Sequence, residues 1–261
     1  MKIKFAENKI IPRLIWIAII LIIWQGISLT GIFSPLILPS ALQVLKALYI
    51  SFINGEMAGQ TLLSLILILE GLILGIVLAF VLATLSMLSD TFRGLIDTFI
   101  SIADPLPGIA LLPIIILWAG TGTASILVII VHSVIWPMIL NILAGFKSIP
   151  KIYKEIGESY GLKPMGIISS IMIPASLPYL ITGTKIGWSR AWRALLSAEM
   201  VFGAAQGMGG LGWYIFKNRV FMNTPGMYAG LIVIIAIGIV VEDLIFDRIE
   251  NITVKRWGMT L

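Results

Sequence analysis

Apolar runs long enough to cross a membrane recur along almost the whole chain, and this is the feature that most limits what it can fold into. A hydrocarbon layer about 30 Å thick needs roughly 20 helical residues, because each adds about 1.5 Å and every backbone N–H and C=O must find its partner inside the segment. Stretches of that kind fall at 11–30, 61–88, 94–118, 123–146, 168–203 and 226–246, which predicts about six transmembrane helices. The fifth is too long for one ordinary crossing, so its first part is expected to lie near the interface before the chain turns inward. Between the first two, ILPSALQVLKALYISFINGEM predicts a short helix on the membrane surface after the breaks at Pro35 and Pro39. No segment is left for a separate soluble domain, so residues 1–261 read as a single all-α transmembrane domain. The charge content agrees. Only 12% of the residues are charged against 59% hydrophobic, too few to coat a water-soluble globule of this size.

The excess of basic residues, a net +5, reports orientation and contact with anionic lipid rather than nucleic acid. Lys2, Lys4, Lys9 and Arg13 place the N-terminus in the cytoplasm. Counting alternately, Arg93, then Lys147, Lys151, Lys154 and Lys163, and finally Arg248, Lys255 and Arg256 fall on the same side, while Lys46, Lys217 and Arg219 dissent. The basic start and the apolar run after it look like a secretory signal, but SLTGIFSPL has no small-x-small cleavage pattern, so a retained signal-anchor helix is expected. There is no cysteine, hence no disulfide or thiolate metal site, and the lone His132 builds no histidine cluster.

One stretch interrupts this pattern: KEIGESYGLKPMGIISSIMIP, Lys154 to Pro174, on the side assigned to the cytoplasm. Pro150 suits the first turn of a helix and Gly161 followed by Pro164 supplies a stop, which predicts about three helical turns. Ile149, Ile152, Tyr153, Ile156 and Tyr160 form an apolar stripe, with Lys151, Lys154, Glu155 and Glu158 on the other side. Such a helix either lies in a groove of a partner or rests on the protein's own interfacial rim.

Glu155, Gly161 six positions later, and IMIP from Ile171 to Pro174 together resemble the EAAxxxG motif with its trailing IxLP. That motif belongs to the permeases of binding-protein-dependent ABC importers. Ile156 and Gly157 stand where the motif has two alanines, and Ile173 where it has leucine. SLILILEGLILG (64–75), ADPLPGIALLPIIILWAGTG (103–122), TGTKIGWSRAWRALLSAEMVFG (182–203) and GMGGLG (207–212) are similar, in order, to the nitrate, sulfonate, taurine and bicarbonate importer permeases. Leu67 stands where that family often carries an arginine. The resemblance implies a type I importer permease (MetI-like) architecture in a prokaryotic plasma or inner membrane, with a cytoplasmic coupling helix within 147–165. It implies that Glu155 engages an ATPase, that Gly157 is a close-contact position and Gly161 the turn, with Ile152, Ile156 and Tyr160 in the same contact. It also implies ATPase subunits that use ATP and Mg, an extracytoplasmic substrate-binding protein, a second permease subunit forming a homodimer, and a small anionic cargo. The chain carries no GxxxxGK[ST] phosphate loop, so hydrolysis is expected elsewhere, and no cofactor is expected here.

Charges inside the spans are the remaining candidates, since each costs about 2.5 to 3.5 kcal/mol on insertion scales unless paired or wetted. Arg190, Arg193 and Glu199 in the fifth span, and Glu70 in the second, are expected at a subunit contact, in the translocation path, or against another helix. Arg193 and Glu199 are six apart and do not share a helix face, so Glu199 needs its partner from another span or subunit. His132 reads as a hydrogen-bonded packing residue. GMGGLG satisfies GxGxxG but follows a span rather than a strand, so it reads as a turn. Gly71 with Gly75, and Gly226 with Gly230, allow close helix approach within one subunit or between two. The prolines of ADPLPGIALLP open the third span as a kink or a hinge. Two other classes compete: an ion-coupled secondary transporter using the buried acids and His132, and an intramembrane enzyme, for which no HExxH or GxSxG motif is present.

Overall fold

The computed structural model describes residues 10–203, 209–254 and 256; among them the chain is helical with no strand. In order, it forms α1 (Ile10–Leu29), α2 (Ala41–Ile53), α3 (Glu56–Leu88), α4 (Asp90–Ala103), α5 (Gly108–Ala119, opening with a 3₁₀ turn), α6 (Thr123–Ser148) and α7 (Lys151–Ser159). Then follow α8 (Pro164–Ala175), α9 (Leu177–Phe202), α10 (Leu211–Val220) and α11 (Thr224–Ile252). α8 and α11 contain wider π-helical turns at Ile168–Met172 and Val240–Phe246.

Among the described residues α3, α6 and α11 are each long and apolar enough to cross a membrane, and the bent pairs α4/α5 and α8/α9 bring the number to five. α1 occupies the first expected span, and its Ile15–Leu29 part is a shorter apolar helix. The kink expected from the prolines of ADPLPGIALLP is present, and it falls inside 94–118 rather than at its entry. Ala103 ends α4, and the chain turns by 92° before α5, because Pro105 and Pro107 supply no backbone donor to carry the ladder on. The long fifth segment bends by 73° at Ser176, as its length required.

Packing divides the chain into two compact units, residues 1–59 with 214–233 and residues 60–213 with 234–261. In the first, Ser40 and Gln43 form a reciprocal capping box at the start of α2. The Trp24 indole donates to the Pro39 carbonyl, and the Gln25 side chain accepts from the Ala41 N–H, which fixes the turn between α1 and α2. Tyr214 is fully buried with its hydroxyl 2.6 Å from that of Ser51, and Lys217 pairs with Glu56 at 2.7 Å. A β-carbon at Gly230 would come 2.9 Å from both Tyr214 and Ile215, and one at Gly226 would strike the Asn218 side chain.

α6 is the spine of the second unit, burying Ile129, Ile130, Val134, Met138, Ile139, Ile142 and Phe146. Its neighbours meet it through glycine. Gly71 faces Ile130, and a β-carbon at Gly75 would lie 2.8 Å from Val134. On the other flank, one at Gly183 would lie 2.8 Å from Asn141, and Gly187 sits against Val134 as well. Both GxxxG pairs therefore serve packing inside the chain.

Candidate functional site

α7 is short but sharply bounded. Pro150 precedes it in an extended conformation and supplies no donor where none is needed. At its other end Gly161 has φ +74°, its N–H donates to the Glu158 carbonyl, and the Leu162 N–H reaches back to Gly157. This reciprocal pair is the Schellman stop, and its left-handed residue is glycine because a β-carbon there is strained. Gly157 is the one buried residue of the helix. A β-carbon on it would lie 2.8 Å from Ile171 and 3.3 Å from Ile167, both in α8. Gly157 is thus in close contact with α8 within the chain. Ile149 is buried too, but Ile152 (54% exposed), Tyr153, Ile156 and Tyr160 (83% exposed) leave an uncovered apolar stripe. Glu155 lies on the surface and pairs with Lys151 one turn earlier at 3.1 Å.

α8 leads by the bend at Ser176 into α9, which carries the basic residues of the fifth span. Arg190 donates to the carboxylate of Asp104 at 2.5 Å, and the Asp104 backbone N–H caps the broken end of α4 by donating to the Ile100 carbonyl. Arg193, one turn further along, lines the same cavity of about 350 Å³ with Asp104, His132, Trp136 and Ser197. Its Nε donates to the Ser189 carbonyl. The His132 ring meets Trp136 edge-on at 6.0 Å, and neither the two His132 ring nitrogens nor the Trp136 Nε1 has a hydrogen-bond partner among the described residues. Arg190 and Arg193 are thereby brought together; Glu70 is not. It stands on the exposed side of α3 with no hydrogen bond or ion pair among the described residues.

Glu199 is 1% exposed and serves a different purpose. One carboxyl oxygen accepts from the Ser64 hydroxyl of α3 at 2.7 Å, the other from the Gly212 N–H at 2.8 Å, and Ser64 in turn accepts from the Leu211 N–H at 2.9 Å. The partner demanded by its burial is a second helix plus the backbone entering α10. A β-carbon at Gly210 would overlap the Glu199 carboxyl, and one at Gly212 would overlap the Leu196 carbonyl. These glycines of GMGGLG are required by approach to Glu199; Gly207 and Met208 lie outside the described residues. Glu199→Ala strands two donors, each worth about 1 to 3 kcal/mol when left unmet in the interior. The expected outcome is a fall of several degrees in the thermal unfolding midpoint of the lipid-embedded protein, with Glu199→Gln losing less.

Asp104 and Ser64 are the residues that sequence reasoning missed. Asp104 carried a signal, as an acid placed directly before Pro105 between two apolar segments. Ser64 carried none, since a serine inside an apolar helix commonly bonds its own backbone.

A many-helix apolar chain with a charged cavity between its spans and a short amphipathic helix tied to their base defines a multi-pass membrane transport subunit. The chain belongs to the family of binding-protein-dependent transport system inner membrane components, the permeases of ABC importers, whose sequence model matches residues 71–253. Over 231 residues it is 28% identical to the taurine transport system permease protein of Escherichia coli, covering 87% of this chain and 82% of that one. It is also 28% identical over 249 residues to the nitrate import permease protein of Synechocystis, covering 92% of this chain and 86% of that one.

Proposed function

We propose that this permease passes a small anion, of the kind carried by its taurine and nitrate relatives, through a pair of identical subunits driven by separate ATPases. The observation that carries the coupling half of this reading is the uncovered stripe of Ile152, Tyr153, Ile156 and Tyr160 on a helix whose opposite side is anchored at Gly157. An apolar stripe held rigidly at the surface fits a groove in another protein, with Glu155 at its edge and Gly161 fixing the turn that follows. ATP and Mg bind on the ATPase, and its closure displaces α7. Gly157 passes that displacement to Ile167 and Ile171 of α8, and the bend at Ser176 passes it to α9, on which Arg190 and Arg193 line the cavity. The basic segments flanking the spans orient both termini and α7 toward the cytoplasm, leaving the opposite face for a substrate-binding protein. Glu70, exposed in an apolar helix, belongs against the second subunit or the path, because lipid would make its charge costly.

The test is uptake by proteoliposomes containing this chain with its ATPase and binding protein. Labelled taurine, nitrate and an alkanesulfonate are each offered with and without ATP. ATP-dependent uptake of at least one, absent when either partner is omitted, is the expected result. Uptake by the chain alone, driven by an ion gradient, would establish the secondary-transporter reading instead.

A further inference from the structure

Resting on the importer reading, we infer that the cavity beside the broken α4/α5 turn is a transit site for a monovalent organic oxyanion. Arg193 is its counter-charge and the Trp136 indole its directional donor. Of the three charges lining the cavity, Arg190 and Asp104 neutralise each other, and Arg193 is left without an acid. Its Nε is engaged by the Ser189 carbonyl, which orients the guanidinium, while the two terminal nitrogens have no partner among the described residues. A planar pair of N–H donors matches two oxygens of a carboxylate, sulfonate or nitrate.

Trp136 adds an independent sign. Its indole nitrogen donates only, is buried, and finds no acceptor among the described residues, a state that costs free energy unless something visits it. An anion held by Arg193 would supply the acceptor. Leu106, Pro107 and Ile109 add apolar lining, which suits a short alkyl body rather than a bare hydrated ion. At about 350 Å³ the cavity is at the small end of small-molecule sites, which run from roughly 300 to 1,000 Å³. An ATP-driven importer must release what it accepts. One unpaired guanidinium and one donor in an open cavity are consistent with weak, reversible holding.

Trifluoromethanesulfonate is a suitable probe, a small sulfonate whose fluorine resonance broadens when it binds. Added to the permease and ATPase complex in phosphatidylcholine nanodiscs, without ATP or binding protein, it should show saturable broadening. Ethanesulfonate should reverse the broadening and choline should not. Arg193→Gln should weaken binding at least tenfold, Arg193→Lys less, and Trp136→Phe several-fold. Should Arg193→Gln fail to assemble, Trp136→Phe alone decides. Unchanged binding in Trp136→Phe, displacement by choline as readily as by ethanesulfonate, or no saturable binding to an assembled complex would each overturn the assignment. Because the readout needs neither ATP nor transport, the site can fail in a complex that imports normally. Failure of the chain to assemble with an ATPase at all would count against the importer reading instead.

Discussion

Ile156→Asp is expected to leave the chain inserted and folded while cutting ATP-driven uptake at least tenfold. Ile156 is 44% exposed on the outer side of α7, so an aspartate there meets water in the isolated subunit and alters stability little. In the groove of a partner the same carboxylate would lose its water without gaining a cation, at a cost of several kcal/mol. Since about 1.4 kcal/mol is a factor of ten in affinity, docking would fail before folding does. Co-purification with the ATPase and ATP-dependent uptake should fall together, while the thermal midpoint of the permease alone stays in place. Normal uptake would instead mean that the stripe rests on the lipid interface, where one aspartate among three apolar neighbours is tolerated.

Gly212→Val should have the opposite profile, lowering the stability of the fold and the amount of folded protein. The new β-carbon would fall on the Leu196 carbonyl oxygen, which belongs to the backbone of α9 and cannot swing aside, and 2.8 Å from the β-carbon of Glu199. Relief requires α10 to move off α9, which pulls the Gly212 N–H from the Glu199 carboxyl and the Leu211 N–H from the Ser64 hydroxyl. Overpacking of this kind costs about 3 kcal/mol or more. A drop of roughly 10 °C in the unfolding midpoint corresponds to that cost for a chain of this size. Expression level and size-exclusion profile check it first. A well-folded Gly212→Val protein would show that the Glu199 contacts are dispensable.

Hydropathy identified the apolar stretches because bilayer thickness leaves helices little choice of length. The ends of α7 were readable for a related reason: Pro150 and Gly161 restrict the backbone locally, whatever surrounds them. The prolines of ADPLPGIALLP marked the α4/α5 break, because they remove the donors that a continuous helix needs, but a hydropathy average hid that it falls inside 94–118 rather than at the entry of the span. Long-range partners were out of reach. Arg190 and Asp104 are 86 positions apart and Glu199 and Ser64 are 135 apart, so no periodicity within one helix could pair them. The contact of Gly157 with Ile167 and Ile171 was not legible, because Gly157 was marked only by its place in the family motif and α8 follows beyond a turn.

The two flanks of α6 differ from ordinary helix packing in one respect that bears on motion. Val134 stands between Gly75 on α3 and Gly187 on α9. Helices usually lock because side-chain ridges of one lie in grooves of the other, and axial sliding must lift each ridge over the next. A glycine contact presents no ridge. Axial shear of α3 and α9 past Val134 is therefore expected to meet less resistance than separation, which would surrender the apolar contact altogether. A subunit built this way would slide along α6 rather than part from it.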